Sequence, residues 1–232
     1  MSEAAAFLIK KRIIEKPDLV LGLASGSTVL GLYQQLIRLH REQDLDFSKI
    51  TVFNLDEYLG LPPSHCHSYH FYLWHNFLKH INIKKENVFL LKGDPENVEA
   101  YCRWYEAKIK EKGGIDLQIL GIGRNGHLGF NEPGADFNST TRVVYLDKIT
   151  IEDNSRFFDN VEQVPKKALT MGLRTIMGAG ECLLLASGSH KREIVKKSLK
   201  GGLTPKVPAS ILQKHKKTTV ILDKEAAGEI IE

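Results

Sequence analysis

Four short polar stretches hold most of the side chains that could carry out chemistry in this chain. They read LASGST (23–28), NLDEY (54–58), LGIGRNGHLGFNEPG (120–134) and ASGSHK (186–191). Each directly follows or ends an apolar run, and together they supply small hydroxyl residues, glycines, carboxylates, histidines and a lysine. Such residues can bind an anion through backbone N–H groups and hydroxyls, or move protons between carbon and oxygen.

The third stretch contains Gly121, Gly123 and Gly126 in the G-x-G-x-x-G spacing of a dinucleotide site. A true fingerprint follows the first strand, opens a helix, and precedes an acidic residue about 20 positions later. Here the motif lies mid-chain, and Gly129 and Pro133 fall where the helix should run. We therefore predict no nicotinamide or flavin site and no cofactor.

The first and fourth stretches have the composition of phosphate-binding loops. Ser25, Gly26, Ser27 and Thr28 lead into a helical pattern, whose N-terminus favours anions. Local sequence alone fits an ordinary Ser/Thr helix cap equally well. Lys191 repeats the design at a second helix start, where a cation opposes the helix dipole unless an anionic ligand offsets it. The pair of loops predicts a phosphate site, and without a Walker motif a nucleoside triphosphate is not expected.

The second and third stretches offer acid–base groups. Asp56 and Glu57 end an apolar run, and a partly desolvated carboxylate there becomes a usable general base, although a turn or cap aspartate fits the local pattern equally well. His127 lies in the glycine-rich stretch, and histidine both gives and takes a proton near neutral pH. Asn125 and Glu132 are close in sequence and can orient or charge-balance it.

A cluster of histidines invites a metal interpretation that the spacing does not favour. Neither H-E-x-x-H nor a paired C-x-x-C accompanies them, so an amphipathic helix is expected and no metal site is predicted. The residues are His65, His67, His70, His75 and His80.

Composition excludes several classes of protein. The net charge of +4 is mild, and the basic clusters KIKEK, KKSLK and QKHKK are mixed with apolar positions, so no nucleic-acid partner is predicted. No apolar run approaches the roughly 18 residues of a membrane span, and the N-terminus lacks the features of a secretory signal. Three scattered cysteines suit a reducing compartment, and we expect a cytoplasmic protein.

Short apolar runs alternate with longer amphipathic segments along the chain. Strands are predicted at 18–25, 49–56, 87–93, 115–123, 142–148, 181–188 and 218–224. Helices are predicted near 2–16, 28–42, 66–80, 96–112 and 189–200. This order predicts one α/β domain over residues 1–232, with a doubly wound, mostly parallel, Rossmann-like sheet and helices on both faces. Ligands of such sheets bind beyond the carboxyl ends of the strands, where the four polar stretches lie.

With these stretches in hand, the chain resembles the glucosamine-6-phosphate deaminase family over nearly its whole length. The matching pieces, in the family's order, are LGLASGST, FNLDEYLGLP, LGIGRNGHLGFNEPG, NSRFFDNVEQVPKKALTMG and ASGSHK. The resemblance implies conversion of glucosamine 6-phosphate to fructose 6-phosphate and ammonia in amino-sugar catabolism. It implies a cofactor-independent enzyme, which we class as a hydrolase, whose small-molecule partner is a sugar phosphate.

The resemblance also implies roles for individual residues. Asp56 would take the C2 proton of the opened sugar and return it to C1. His127 would open the pyranose ring, supported by Glu132 and the residue at 125. The phosphate would be held by Ser25, Gly26, Ser27, Thr28, Arg156 and Lys191. The segment 142–171 would be a mobile lid.

Two departures from the family pattern limit this transfer. Many members carry aspartate where this chain has Asn125, and an amide stabilises an imidazolium less. We therefore expect slower or more alkaline-shifted ring opening, with Glu132 compensating. Larger members use a lysine for allosteric activation by N-acetylglucosamine 6-phosphate where this chain has Val144. We expect no such activation, and either a monomer or a homo-oligomer.

Two rival functions follow from related proteins. A 6-phosphogluconolactonase-like hydrolase would have the same fold, but NLDEY and FNEP favour the deaminase. A non-catalytic sugar-phosphate sensor would add a helix-turn-helix segment, for which we expect no room in this chain. Asp56 and His127 are also present, which a sensor would not need.

Overall fold

The computed structural model describes residues 1–228, which form a central sheet, a smaller second sheet and surrounding helices. The strands are β1 (Val20–Leu23), β2 (Thr51–Asn54), β3 (Asp56–Tyr58), β4 (Val88–Phe89), β5 (Leu117–Leu120), β6 (Arg142–Tyr145), β7 (Lys167–Thr170), β8 (Glu181–Ala186) and β9 (Thr218–Leu222). The helices are α1 (Ser2–Glu15), α2 (Ser27–Gln43), α3 (Tyr69–Asn76), α4 (Val98–Glu111), α5 (Lys148–Ser155), α6 (Leu173–Met177), α7 (Arg192–Lys200) and α8 (Lys224–Ala227).

The central sheet is parallel throughout, with the strand order β4-β2-β1-β5-β8-β9. Every residue of β1, β2, β5 and β8 is buried, without polar alternation. Such strands need a cover on both faces, which the helices provide by packing their apolar sides into one large core. The α/β fold with a mostly parallel, doubly wound sheet is therefore confirmed.

The chain changes direction across the sheet between β1 and β5. From β1 it moves outward through β2 to β4, then returns to β5 beside β1 and continues to β8 and β9. This arrangement makes the β1–β5 junction the topological switch point, where the loops leaving the two strands diverge and open a crevice. The stretches 23–28 and 120–134 both begin at that junction.

The second sheet differs from the sequence-based expectation. Residues 142–148 were expected as one more strand of the main sheet, but β6 lies in a separate antiparallel sheet with the order β3-β7-β6. β6 alternates between half-buried and exposed residues, which suits a sheet open to solvent on one side. β3 and β7 were not predicted, because they have only three and four residues and lie beside segments with a stronger sequence pattern.

A small separate core attaches this second sheet to the molecule. Its buried members are Tyr58, Phe130, Leu146 and Ala168, with Phe158 packed against them. The predicted helix at 66–80 is the shorter α3 followed by a single 3-10 turn. Within residues 1–228, none of the helices is long and apolar enough to cross a bilayer.

Candidate active site

The loop after β1 presents the start of a long helix. Gly26 precedes α2 with a φ of 98°, a conformation that favours glycine, and no side chain caps the helix. The hydroxyl of Tyr72 donates to the carbonyl oxygen of Gly26 at 2.8 Å, and Tyr33 donates to that of Ala24. The two tyrosines fix the loop by binding its carbonyl groups. The N–H groups of the first turn of α2 have no partner within the helix, so they can bind an anion.

Asp56 is the first residue of β3 and lies at the switch point. It is 6% exposed, and its carboxylate lies against the α-carbon of Gly129, where an added methyl group would be 3.4 Å from Oδ2. Burial raises the pKa of Asp56 from 3.8 to about 8, helped by the Glu57 carboxylate and opposed by the hydroxyl of Ser25. The carboxyl group is therefore tuned toward a base that accepts a proton near neutral pH.

Glu57 points the other way and has a structural role. Its carboxylate accepts three backbone N–H groups, from Tyr58, Tyr69 and His70, at 2.8–2.9 Å. Burial raises the pKa of Glu57 to about 7, against the effect of these three hydrogen bonds. Two of the donors begin α3, so Glu57 anchors that helix and leaves Asp56 as the carboxylate available at the crevice.

His127 and Glu132 contact each other within the glycine loop. The Nδ1 atom of His127 lies 3.3 Å from Oε2 of Glu132, and both side chains are largely buried. Burial opposes ionisation of Glu132, but hydrogen bonds from His127, Thr150 and Asn125 outweigh it and leave the pKa lowered. The contact uses Nδ1, which leaves Nε2 as the nitrogen for a substrate.

Asn125 supports this pair indirectly. Its amide Nδ2 donates to Oε2 of Glu132 at 2.8 Å, while its Oδ1 accepts the backbone N–H of His127 at 3.2 Å. The amide therefore orients the carboxylate and the loop rather than the imidazole ring itself. The sequence proximity of Asn125, His127 and Glu132 thus corresponds to direct contact in the structure.

The glycines of the decoy fingerprint serve His127 instead of a dinucleotide. No helix opens in 121–134, and the N–H of Gly123 donates to the carbonyl of His127 across the tight loop. The imidazole ring lies flat on Gly123, where an added methyl group would be only 2.2 Å from Cε1. Gly123 is therefore required by the position of the histidine ring.

With the acid–base role that the family resemblance implies for His127, replacing Gly123 with alanine is expected to displace the ring and lower kcat by about 10- to 100-fold. Gly121→Ala is the matched control, since its methyl group would meet nothing within 4 Å. Steady-state kinetics of both variants on glucosamine 6-phosphate test the difference. Equal rates for the two variants would show that the ring position does not matter.

In the fourth stretch, two of the donors that the sequence suggested for an anion bind an internal carboxylate. Ser187 donates its hydroxyl to Asp223, and the N–H of Gly188 donates to the same carboxylate at 3.0 Å. Asp223 also caps α8 through the N–H of Ala226. An internal carboxylate thus occupies the donors of Ser187 and Gly188.

Lys191 lies beside the glycine loop. Its Nζ donates to the carbonyl oxygen of Ile122 at 2.8 Å, and burial lowers its pKa, with Asp153 opposing and Arg156 and Arg124 adding to the decrease. Lys191, Arg156 and Arg124 are all cations and repel each other, so a phosphate group placed among them would be stabilised.

Arg156 is exposed at the end of α5, with its guanidinium 4.7 Å from the centre of the Phe157 ring. The structure therefore brings Lys191 next to the β5 loop and leaves Arg156 exposed, near enough to Lys191 to lower the pKa of that lysine. Because β1, β5 and β8 are adjacent, the 25–28 loop and Lys191 flank the β5 loop on either side.

Several contacts at this site were missed by sequence reasoning. Thr170 of β7 accepts the N–H of Phe130 at 3.0 Å and lies beside Gly129, so it holds the glycine loop against Asp56. Arg124 pairs with Asp153 of α5 at 3.0 Å. The sequence carries no signal for either contact, because each joins segments that the second sheet brings together.

The histidine-rich segment is dispersed over different contacts. His75 stacks on Phe71 within α3, and the Nδ1 atom of His65 accepts the N–H of His67. Within residues 1–228, no three His, Cys, Asp or Glu side chains converge in a way that would hold a metal ion.

The chain as a whole is similar to proteins of known families. A family model described as glucosamine-6-phosphate isomerases/6-phosphogluconolactonase matches residues 1–221. A glucosamine-6-phosphate deaminase of Thermoanaerobacter sp. (strain X514) is 55% identical over 230 residues, which are 99% of this chain and 91% of that protein.

Solved structures show the same likeness. A monomeric glucosamine-6-phosphate deaminase superimposes with a TM-score of 0.96 at 49% identity, covering 97% of this chain and 94% of that one. A 6-phosphogluconolactonase from Thermotoga maritima has a TM-score of 0.75 at 22% identity, covering 95% and 94% of the two chains, and shares the fold. On the family model and on the identity with these relatives, the chain belongs to the glucosamine-6-phosphate deaminase family.

Proposed function

We propose that this protein converts glucosamine 6-phosphate and water into fructose 6-phosphate and ammonia, in amino-sugar catabolism. The observation that supports this proposal most is that the buried carboxylate of Asp56 lies against Gly129. Gly129 belongs to the same loop as the His127–Glu132 pair. Proton transfer between adjacent carbons needs one such base, and ring opening needs a separate acid–base group. The relatives carry the names deaminase and isomerase rather than the hydrolase label expected from the sequence.

The reaction begins when the phosphate group of the substrate binds at the start of α2. The N–H groups and hydroxyls of Ser25–Thr28 and the cations Lys191 and Arg156 would hold it, which supplies binding energy remote from the reacting carbons. His127 would then take the O1 proton through Nε2 and deliver a proton to the ring oxygen, with its imidazolium form stabilised by Glu132. The product of this step is the open-chain aldehyde.

Asp56 would act on the opened sugar. Its carboxylate takes the proton from C2 while a proton of the substrate's ammonium group passes to O1, which gives an enolamine. The carboxylic acid then returns a proton to C1 to give the ketose imine, protonated on nitrogen. Water adds to the imine carbon, and ammonia leaves. The protonated amino group of the substrate beside Asp56 favours the ionised carboxylate, so binding would lower the pKa of Asp56 from the raised value that burial gives it.

Three further parts of the proposal concern the whole molecule. The segment 142–171 would be a lid, since it carries α5 and places Arg156 near Lys191 of the proposed phosphate site. The protein would be a monomer, as the 49% identical solved relative is described, without activation by N-acetylglucosamine 6-phosphate because Val144 replaces the family's lysine. A cytoplasmic location is supported by three unpaired cysteines.

Incubation with glucosamine 6-phosphate tests the function directly. We expect ammonia and fructose 6-phosphate in equal amounts, and no measurable hydrolysis of 6-phosphogluconolactone by the same preparation. The Asp56→Asn protein, purified in parallel, excludes a contaminating deaminase. Hydrolysis of the lactone without release of ammonia would favour the lactonase function, and binding without turnover of either compound would favour a sensor.

The role of Asn125 gives a separate prediction. Because its amide donates to Glu132, an aspartate at this position would place a second carboxylate 2.8 Å from the first, and one of them would keep its proton to higher pH. The acid limb of the pH–rate profile is therefore expected at higher pH in Asn125→Asp than in the parent protein. This is opposite to the direction expected from the sequence, and superimposable profiles would contradict the role of the residue.

A further inference from the structure

Thr150 connects α5 to the acid–base pair. It lies in the first turn of the helix, is 2% exposed, and belongs to the 142–171 segment rather than to the glycine loop. Its Oγ1 atom is 3.4 Å from the Nδ1 atom of His127, the same nitrogen that contacts Glu132. A buried hydroxyl at this place needs hydrogen-bond partners, and the pair supplies them.

The hydroxyl also lies close enough to the Glu132 carboxylate to help lower the pKa of that group, whereas burial raises it. A second contact comes from the same turn, because the backbone N–H of Asp147 donates to Oε1 of Glu132 at 3.3 Å. Glu132 therefore sits at the N-terminus of α5, where N–H groups and the helix dipole favour a negative charge. Asp147 caps the helix in turn through the N–H of Ile149.

One arrangement of the protons fits these contacts. If the Thr150 hydroxyl donates to the carboxylate, its oxygen is left facing the Nδ1–H of His127, which also donates to Glu132. The imidazole is then held with its proton on Nδ1 and its Nε2 lone pair toward the crevice. This tautomer is the one that can take a proton from a sugar hydroxyl.

We propose that Thr150 is a positioning residue that holds His127 and Glu132 in the geometry for ring opening. The inference rests on the proposed function for its kinetic consequence, but the contacts themselves do not depend on it. Because Thr150 is carried by α5, the acid–base unit is complete only while this helix is seated against the glycine loop. Among the charged residues nearby, Asp147 precedes α5 and contacts Glu132 through its backbone N–H, and Asp153 of α5 pairs with Arg124.

Thr150→Val keeps the shape of the side chain and removes the hydroxyl, whereas Thr150→Ser keeps the hydroxyl and is the matched control. We expect kcat on glucosamine 6-phosphate to fall about tenfold in the valine variant, with KM within about twofold. The acid limb of its pH–rate profile should move to higher pH, since Glu132 loses a donor that favours its ionised form. The serine variant should restore both values to near those of the parent protein.

A second measurement needs no substrate. Titration of the Glu132 carboxyl carbon by NMR in the unliganded protein should give a higher pKa for Thr150→Val than for the parent protein and for Thr150→Ser. Unchanged titration in a folded valine variant, or equal losses of kcat in both variants, would overturn the inference. If neither the parent nor the variants release ammonia, the proposed function fails while the titration still decides the role of Thr150.

Discussion

Asp56→Asn is expected to lower kcat on glucosamine 6-phosphate by about 10²- to 10⁴-fold, the usual contribution of a general base. Asparagine has nearly the same size and fits the same buried place, but it cannot accept the C2 proton. Most of the proposed phosphate-binding groups, the N–H groups of α2 and the cations Lys191 and Arg156, act on the phosphate rather than on C2, so KM should change little. Ammonia release in steady state, measured for parent and variant, gives the comparison.

The same substitution is expected to stabilise the fold at alkaline pH. The pKa of Asp56 is about 8 in the folded protein and ordinarily 3.8, so the folded state binds this proton more tightly than the unfolded state does. The parent protein therefore loses stability from this site as the pH rises from about 4 to 8. Asparagine has no such loss, and the free energy of unfolding of Asp56→Asn should exceed that of the parent protein by more at pH 8.5 than at pH 5.

Denaturant unfolding at these two values of pH measures the effect. Lost activity together with raised alkaline stability is the combination expected of a buried base that the substrate uses. Retained activity in Asp56→Asn would remove the base from the reaction, and a pH-independent difference in stability would show that the carboxyl group is not desolvated.

His127→Gln is expected to lower kcat by about 10²- to 10⁴-fold through a different step. Glutamine keeps a hydrogen-bonding side chain near Glu132 but does not exchange protons near neutral pH. Ring opening would then proceed only at its spontaneous rate, while proton transfer by Asp56 remains intact. Interconversion of the α and β anomers of glucosamine 6-phosphate reports ring opening separately from deamination.

NMR exchange measurements of this anomerisation distinguish the two residues. Asp56→Asn should still accelerate anomerisation without releasing ammonia, whereas His127→Gln should accelerate neither process. A His127→Gln protein that accelerates anomerisation as the parent does, or an Asp56→Asn protein that does not, would contradict the division of roles.

The central sheet and the place of the site were predictable from sequence because both depend on local pattern. Strands buried on both faces appear as unbroken apolar runs, and β1, β5 and β8 do so clearly. The carboxyl ends of parallel strands share one edge, so the polar stretches after β1 and β5 had to converge at the switch point. Asn125, His127 and Glu132 lie within one loop, and their contact followed from proximity.

The rest of the site depends on contacts between segments far apart in the chain. Asp223 occupies the donors of Ser187 and Gly188, which read in the sequence as a free anion loop. Thr150 reaches His127 only because the short antiparallel sheet, with two strands that were not predicted, brings α5 to the glycine loop. Neither the hydrophobic periodicity nor the motif spacing of the sequence predicts these long-range contacts.

A structure with an open-chain analogue bound, such as 2-amino-2-deoxyglucitol 6-phosphate, tests the proposed chemistry most directly. We expect the phosphate at the Ser25–Thr28 start of α2 near Lys191, C2 within about 3.5 Å of the Asp56 carboxylate, and O5 facing Nε2 of His127. A phosphate bound away from α2, or a C2 atom out of reach of Asp56, would contradict the mechanism.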